Sequence, residues 1–599
     1  MNMYTELYPQ SNECRRAESL DGLWRFRFDP KAEGEASGWQ TEGLKESISM
    51  PVPSSFSDLF TDAYSRDYCG DFWYETDVYV TEVSPDRRYF IRFGSITHTC
   101  KVFLNGRECA SHTGGFLPVV AEITDFVRPG KNLLSVKVNN ELSETNIPCG
   151  TTALRRDGSR RNLGYFDFFN YSGIQRSVYL MELPKDAIYD YEFVYRLDGK
   201  DAYIDYTVSA DGDGDISLSF IDREGNAIAE AAGREGTLHI PNAKLWKVRN
   251  AYLYTVEIVL AKDGKTLDVY RDKAGIRTVE IKGESILLNG EKVYLKGFGK
   301  HEDADIIGKG FSYAVAKRDF ECMKWMGANC FRTSHYPYSD EWYRMADEEG
   351  FLIIDEVPAV GMMRSIANFL TAGRGEARGF FADCPDVQKL TENHKTALEE
   401  MIRRDKNHPS VIAWSIFNEA ETITEASEDY FKPLFELAKV LDPQKRPLTG
   451  ALESSSSPKA CRVHDMMDFI CLNRYYGWYV SGGELKEAEY IFRAEMDAWQ
   501  ALKLNKPIVF TEFGTDTLDS LHKLPGVMWS QEYQQDYMCM HFDVFDSYPV
   551  VQGELAWNFA DFQTGQGIMR VNGNKKGLFT RQRQPKAAAY TIRERWLAK

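Results

Sequence analysis

The fold is decided by a stretch that reads Val411-Ile412-Ala413-Trp414-Ser415-Ile416-Phe417-Asn418-Glu419. Seven residues, all apolar except one serine, are followed at once by an amide and a carboxyl side chain. An unbroken apolar run of this kind is typical of a strand buried on both faces of a sheet. The stretch therefore predicts a fully buried strand with polar groups at its carboxyl end.

Other short apolar runs lie on both sides of this stretch, and long amphipathic segments separate most of them. The predicted strands are 293–298, 330–333, 351–355, 411–417, 447–450, 469–473, 507–511 and 553–557. The predicted helices are 316–326, 339–349, 387–404, 430–441, 484–503 and 531–545. Eight strands that alternate with helices over about 320 residues predict a (β/α)8 TIM barrel.

The chain before this region has a different, all-β pattern. Short alternating runs are separated by turn pairs such as Asn105-Gly106 and Pro129-Gly130, which is typical of a jelly roll or sandwich. A second β segment, broken by clusters of Gly and Asp, has the size of an immunoglobulin-like β-sandwich. We therefore predict a multidomain protein with a jelly-roll domain over 1–183, an immunoglobulin-like domain over 184–279 and the TIM barrel over 280–599.

Composition excludes several classes of protein. The 599 residues include 72 Lys+Arg and 89 Asp+Glu, a formal net charge of −17, and 43% are hydrophobic. A core of this size excludes disorder, and an acidic surface disfavours nucleic-acid and anionic-membrane partners. The start lacks the basic and apolar segments of a signal peptide, and the scattered cysteines contain no Cys-x-x-Cys pair. We expect a cytoplasmic protein with free thiols.

The polar residues at the strand ends are the candidate site, because TIM-barrel active sites lie at the carboxyl ends of the strands. Glu419 ends the fourth predicted strand and Glu512 the seventh. Two such carboxyl groups, one protonated and one ionised, are what glycoside hydrolysis requires. Taken alone, a strand-end glutamate is explained equally well as the cap of the following helix.

Three segments together resemble glycoside hydrolase family 2. The run Asn407-His408-Pro409 through Asn418-Glu419 is similar to the acid/base segment of that family, and Thr511-Glu512-Phe513-Gly514 to its nucleophile strand. The run from Gly297 to Tyr338 also matches. The resemblance covers essentially the whole chain, with a sugar-binding first domain, and within the family it is greatest to bacterial β-glucuronidases.

The resemblance implies a role for each catalytic group. Glu419 would be the general acid/base and Glu512 the nucleophile of a retaining hydrolase, with carboxyl groups about 5–5.5 Å apart and no cofactor or metal. Tyr475 would neighbour the nucleophile, and Asn418 would bind the sugar 2-hydroxyl. His335 would contact the sugar or orient Glu419, while Trp557 and Tyr479 would line the sugar subsite.

A basic stretch suggests that the sugar is acidic. Residues 562–593 contain no Asp or Glu but several Lys and Arg residues. On charge alone, a solvated face or an intersubunit salt-bridge strip is the better explanation. The resemblance changes this, because Asn574-Lys575-Lys576 looks like the Asn-x-Lys element that binds a glucuronide carboxylate. Asn574 and Lys576 would be its ligands, with Arg570 as a helper and Asp167 reaching in from the first domain.

The connection over 361–386 is long for a βα loop and carries apolar side chains. Its position resembles the loop that shapes aglycone preference in gut bacterial glucuronidases, so Phe369 and Leu370 would touch apolar aglycones. Packing of the loop onto the barrel rim explains these residues equally well.

The sequence thus predicts hydrolysis of small-molecule or oligosaccharide glucuronides. Three alternatives stay open: a galacturonidase, a neutral-sugar β-glycosidase such as a galactosidase or mannosidase, and a non-catalytic carbohydrate-binding protein. A homo-oligomer, specifically a tetramer, is implied by resemblance alone.

Overall fold

The first part of the chain forms two antiparallel sheets around one core, which confirms the jelly-roll prediction. The computed structural model describes residues 7–363 and 379–599. The strands are β1 Arg16–Ser19, β2 Gly22–Asp29, β3 Ile48–Val52, β4 Asp71–Val80, β5 Arg87–Phe93, β6 Ile96–Leu104, β7 Arg107–Gly114, β8 Val119–Glu122, β9 Gly130–Asn139, β10 Gly150–Leu154, β11 Arg160–Gly164, β12 Gly173–Ile174 and β13 Val178–Pro184. One sheet has the order β1-β13-β5-β8 and the other β12-β6-β9-β4-β2-β3, with β7 paired to β6. Strands β10 and β11 form a separate hairpin.

The next part forms the predicted immunoglobulin-like sandwich. Its strands are β14 Ile188–Asp198, β15 Asp201–Ala210, β16 Asp215–Ile221, β17 Ala227–Ala232, β18 Glu235–Ile240, β19 Tyr254–Lys262 and β20 Lys265–Ala274. They make the sheets β14-β15-β18 and β17-β16-β19-β20. Alternate side chains along β15 and β19 are buried, and the inward ones share a single core.

A small three-stranded sheet leads into a closed barrel of eight parallel strands. The small sheet contains β21 Val279–Lys282, β22 Ser285–Leu288 and β23 Glu291–Lys292. The barrel strands are β24 Leu295–Lys300, β25 Cys330–Thr333, β26 Leu352–Glu356, β27 Val411–Asn418, β28 Leu448–Leu452, β29 Ile470–Asn473, β30 Ile508–Glu512 and β31 Val551–Ala556. Each coincides with a predicted strand, with ends displaced by two residues at most.

Three of the barrel helices begin at a side chain that caps them. The helices of the described chain are Trp39–Glu42, Ala63–Arg66, Tyr313–Met326, Asp340–Glu349, Phe380–Asp383, Val387–Asp405, Glu425–Leu441, Leu485–Ala501, Gln531–Ser547 and Ala587–Ala598, with a 3-10 turn at His464–Met466. Asp386 and Ser530 each accept a hydrogen bond from a first-turn N–H. Thr424 forms a capping box with Ser427, so its helix starts five residues before the predicted start at 430.

Sequence analysis missed the last helix, Ala587–Ala598. Two of its four buried residues are alanines, Ala588 and Ala589, so the amphipathic contrast on which periodicity depends is weak. The helix packs against Gln531–Ser547 and Tyr313–Met326 and completes the outer ring of the barrel.

The first domain lies against the carboxyl ends of the barrel strands. Phe169 N–H donates to the Gln563 carbonyl across this interface at 2.9 Å. Arg176 forms an ion pair with Glu302 of the barrel at 3.0 Å, and both side chains are buried. Residues 165–171 of the first domain are therefore held over the barrel mouth.

No helix in the described part of the chain is long and apolar enough to cross a membrane.

Candidate active site

The strand register brings the two predicted carboxyl groups to the same end of the barrel. Glu512 is the last residue of β30 and pairs in register with Asn473, the last residue of β29. Glu419 directly follows β27 and donates its backbone N–H to Ala451 of β28 at 2.9 Å. Its φ of 50° lies in the left-handed region, a conformation that is costly for a residue with a Cβ and that concentrates at functional sites.

Glu419 and Glu512 line one pocket of about 600 Å³, a volume that includes space open to solvent. Eight other predicted site residues line it with them: Asp167, Asn418, Tyr475, Tyr479, His335, Trp557, Asn574 and Lys576. Arg570 donates hydrogen bonds to two of these lining residues, Asp167 and Tyr479. A Cβ on Gly299 would lie 2.5 Å from the Trp557 ring, so glycine at that position leaves room for the indole wall. The remaining lining residues are Tyr165, Phe166, Val360, Gly361 and Met363.

The Glu512 carboxylate is held by two strong donors. Arg332 Nη2 donates to Oε1 at 2.5 Å, and the Tyr475 hydroxyl donates to Oε2 at 2.5 Å. Burial raises the pKa of Glu512 to about 7, although Arg332 and the Tyr475 hydrogen bond act in the opposite direction. Burial and the Glu512 charge raise the pKa of the Tyr475 phenol well above its usual range, so the phenol stays a donor.

Glu419 has a much weaker set of partners. Asn473 Nδ2 donates to its Oε1 at 3.0 Å and to Asn418 Oδ1 at 3.2 Å. Burial, followed by repulsion from Glu512, raises the pKa of Glu419 well above its usual range. A proton shared by the two groups therefore resides on Glu419 and leaves Glu512 ionised. This is the acid and carboxylate pair that double-displacement hydrolysis requires.

Arg332 links Glu512 to other polar side chains of the site through a buried network. Besides Glu512, its guanidinium contacts both oxygens of Glu356, at 2.6 and 2.8 Å, and Asn418 Oδ1 at 3.2 Å. His335 places Nδ1 3.0 Å from Glu356 and Nε2 3.8 Å from Glu512. Burial lowers the pKa of His335 well below its usual value, and Arg332 adds to that shift. The contacts of His335 are thus on the Glu512 side of the pocket, with its ring stacked on Trp557 at 4.9 Å.

At the other end of the pocket, Lys576 is paired with an acidic residue. Its Nζ lies 2.5 Å from Asp516 Oδ2 and 2.9 Å from the Tyr479 hydroxyl. Asn574 accepts from the Lys576 backbone N–H at 3.0 Å, which turns its amide nitrogen toward Asp167 at 3.0 Å. Burial would raise the pKa of Asp516, but Lys576 and Arg570 more than offset it, so the pKa lies below its usual value.

Arg570 joins the first domain to this end of the pocket. Its Nε donates to both oxygens of Asp167 at 2.9 Å, and its Nη2 donates to the Tyr479 hydroxyl at 2.9 Å. Its Nη1 lies 3.3 Å from Asp516. Two cations, Lys576 and Arg570, thus face two anions, Asp516 and Asp167, and the group is neutral before any ligand arrives.

Three other cations of the basic stretch are engaged elsewhere. Arg581 pairs with Asp58 and Asp303, Arg583 with Asp319, and Lys586 with Asp561. These pairs fasten the C-terminal segment to the barrel and the first domain. Arg570 and Lys576 therefore contact residues of the pocket, whereas Arg581, Arg583 and Lys586 pair with carboxylates outside its lining.

Asp516, Arg332 and Glu356 contact site residues, but no role was predicted for them from the sequence. Arg332 and Glu356 stand at strand ends, a position that already marked them as candidates. Asp516 follows Glu512 by four residues, and the nearby basic stretch in an acidic chain was the available signal for a buried counter-charge. Phe369 and Leu370, the predicted aglycone residues, lie outside the described residues.

Within the parts of the chain that the structure describes, no group of three or more His, Cys, Asp or Glu side chains is arranged to hold a metal ion. The chemistry considered above uses carboxyl groups, a phenol and fixed cations, and it needs no metal.

Comparisons with known proteins agree with this geometry. Residues 17–184 match the sugar binding domain of glycosyl hydrolases family 2, residues 187–277 a further domain of that family, and residues 279–598 its TIM barrel domain. The chain is 41% identical to a β-glucuronidase of Paenibacillus borealis, over 98% of each chain. It is 37% identical to the human β-glucuronidase, over 98% of this chain and 92% of that one.

Among solved structures, β-glucuronidase of Ruminococcus gnavus in complex with uronic isofagomine is 58% identical. It superposes with a TM-score of 0.98 and covers 100% of this chain and 99% of that one. Family matches that together span nearly the whole chain, and full-length relatives at this identity, establish the assignment. The chain belongs to glycoside hydrolase family 2.

Proposed function

We propose that this protein is a retaining exo-β-glucuronidase, which hydrolyses β-D-glucuronides to D-glucuronate and an aglycone. The observation that carries the proposal is a single pocket with Glu419 and Glu512 at one end and Lys576 and Asn574 at the other. The relatives named above, and the uronic isofagomine held by the Ruminococcus gnavus enzyme, support it.

In the first step, Glu512 attacks the anomeric carbon while Glu419 gives its proton to the glycosidic oxygen. The bond from that carbon to the aglycone oxygen breaks, and a covalent glycosyl-enzyme forms. In the second step, Glu419, now ionised, takes a proton from water, and the water oxygen displaces Glu512. The raised pKa of Glu419 suits it to both steps, because it holds a proton at neutral pH and becomes a base after losing it.

Arg332 and Tyr475 hold the attacking carboxylate in place. Their hydrogen bonds occupy one lone-pair direction on each Glu512 oxygen and keep the group ionised against the effect of burial. Asn418, fixed by Arg332 and Asn473, is the partner of the sugar 2-hydroxyl. Trp557 and His335 form the wall against which the pyranose ring lies.

Lys576 and Asn574 bind the C6 carboxylate of the sugar. A buried ammonium and an amide N–H give charge-assisted hydrogen bonds that a neutral hexose cannot use. Arg570 supports them indirectly, because its own contacts are with Asp167, Asp516 and Tyr479.

The test is a panel of p-nitrophenyl β-glycosides with glucuronide, galacturonide, glucoside and galactoside as the sugar. We expect the highest kcat/KM for the glucuronide. A higher value for the galacturonide or a neutral sugar would replace the proposed substrate by one of its relatives, and binding without turnover would favour a non-catalytic carbohydrate-binding protein.

Stereochemistry tests the mechanism separately. NMR of the first product formed should show the β-anomer of glucuronate, and a crystal of the protein should have carboxyl groups of Glu419 and Glu512 about 5–5.5 Å apart. An α-anomer as first product would exclude a covalent intermediate.

Four predictions from the sequence form part of this proposal: the domain limits 1–183, 184–279 and 280–599, the cytoplasmic location, the tetramer and the aglycone contacts of Phe369 and Leu370. Light scattering after size exclusion measures the oligomeric state. A Phe369→Ala and Leu370→Ala double variant should raise KM for bulky aromatic glucuronides more than for methyl glucuronide.

A further inference from the structure

Lys309 is a buried lysine whose ammonium group is surrounded by aromatic rings. It lies in the loop after β24, and only 5% of its surface is exposed. Its Nζ is 3.7 Å from the ring centre of Tyr336 and 4.6 Å from the ring centres of Phe116 and Phe168. Ring faces attract a cation, and the attraction is strongest where water is excluded.

The rings come from two different domains. Phe116 and Phe168 belong to the first domain, whereas Tyr336 follows barrel strand β25. Phe116 stacks on Tyr336 across the interface, with ring centres 4.5 Å apart and planes 13° from parallel. The Lys309 ammonium therefore stands where the first domain meets the barrel and contacts both.

The contacts continue from this cage into the pocket. Phe168 stacks on Phe166 at 4.2 Å, and Phe166 lines the active-site pocket. Asp167, between these two rings in sequence, is the residue that holds Arg570 and Asn574. The segment that brings the first domain into the site is thus fixed at the ring next to Asp167.

The charge on Lys309 is opposed by burial and by Arg176, and it is supported by Glu302 and Asp303. Desolvation lowers the pKa of the ammonium well below its ordinary value, and the nearby Glu302 carboxylate opposes that shift. The three ring faces oppose it as well, because an aromatic quadrupole stabilises the charged ammonium and not the neutral amine.

We propose that Lys309 is a positioning residue for the active site, which fixes the first-domain segment carrying Asp167 in the pocket through its contacts with Phe116, Phe168 and Tyr336. This inference rests on the proposed function, since hydrolysis of a glucuronide is its readout. If the wild-type protein hydrolyses no glucuronide, the proposed function fails. If the wild-type protein is active, the variants below decide on Lys309 alone.

The first test replaces the cation with an uncharged side chain of similar length. We expect Lys309→Met to raise KM for p-nitrophenyl glucuronide about tenfold, the loss of roughly one desolvated cation–ring contact, while kcat changes little. Lys309→Arg should restore most of the loss, because a guanidinium also binds ring faces. Lys244→Met is the matched control, since Lys244 lies over Tyr252 in the second domain, at 4.8 Å and far from the pocket.

The second test asks whether Lys309 acts through Asp167. In an Asp167→Asn background, Lys309→Met should raise KM no further. A full additional tenfold rise there, or an unchanged KM with only a lower melting temperature in the single variant, would overturn the proposal. If Lys309→Met does not fold, Phe116→Leu decides, because it keeps the lysine and should raise KM about threefold by removing one ring face.

Discussion

Replacing Lys576 with methionine should lower kcat/KM for a glucuronide by more than the loss of one hydrogen bond would. Lys576 Nζ lies 2.5 Å from Asp516 and has only 1% of its side chain exposed. With the lysine present, the clamp formed by Lys576, Arg570, Asp516 and Asp167 is neutral. Without it, a buried Asp516 carboxylate faces the carboxylate of the incoming sugar.

The expected fall in kcat/KM of Lys576→Met has two components. A hydrogen bond to a charged group contributes about 1.5–3 kcal/mol. Two carboxylates about 5 Å apart at an effective dielectric constant of about 20 repel each other by roughly 3 kcal/mol. The sum, about 5 kcal/mol, corresponds to a fall in kcat/KM on the order of 10³–10⁴-fold for a glucuronide.

The repulsion between Asp516 and the sugar carboxylate predicts an effect that a lost hydrogen bond alone does not. The double variant Lys576→Met with Asp516→Asn should be more active than Lys576→Met, by about 10²-fold, because the repulsion is gone. The assay is kcat/KM for p-nitrophenyl glucuronide and for the corresponding glucoside, whose neutral sugar does not feel the repulsion. Lys575→Met is the matched control, since the Lys575 ammonium points to Asp561 at 3.7 Å. A double variant no better than Lys576→Met would refute the electrostatic argument, and wild-type efficiency of Lys576→Met would refute the clamp.

Five further outcomes follow from the catalytic end of the pocket. Glu512→Gln should lower kcat on the order of 10⁴-fold or more while calorimetry still detects glucuronide binding. Glu419→Ala should keep the first step for substrates with good leaving groups, and azide should restore release, with β-glucuronyl azide as the product. Because Glu512 is inactive when protonated, kcat/KM should fall as pH drops below about 7. Tyr475→Phe should move that limb to higher pH. The Tyr475 hydrogen bond lowers the Glu512 pKa, so its removal raises that pKa. Finally, Glu419→Gln should raise the thermal midpoint by about 1–3 °C at pH 8 and by less at pH 5. The reason is that a carboxyl group whose pKa is raised in the folded protein loses its stabilising contribution as pH rises through that pKa.

The barrel was predictable because its strands carry their signal locally. Residues 411–418 are all buried, so the apolar run and the strand coincide. The helix Ala587–Ala598 was not predictable in the same way, since alanines that pack closely against neighbouring helices leave no polar contrast in the sequence. Its position depends on partners that only the folded barrel supplies.

The residues of the candidate site were likewise predictable only where their signal is local in the sequence. Glu419 and Glu512 stand at strand ends, a position that sequence spacing gives directly. The roles of Arg332 and Asp516 depend on contacts across the barrel, such as Arg332 to Glu512, 180 residues apart in the chain. A single sequence gives no distance between such residues, so their partners had to come from the structure.

The two ends of the pocket use charge in opposite ways. At the catalytic end, Arg332 pairs with Glu512, and desolvation together with repulsion from Glu512 raises the pKa of Glu419 and keeps a proton on it. At the clamp end each cation has its anion, so Lys576 and Arg570 are held rigid without net charge. Removing the Glu419 charge should therefore stabilise the fold, whereas removing a charge of the clamp should destabilise it, because the second change leaves a buried partner unpaired. If Lys576 binds the sugar carboxylate as proposed, the pairing also accounts for the entry of an anionic sugar into an acidic protein, because Asp516 holds Lys576 in place for that carboxylate.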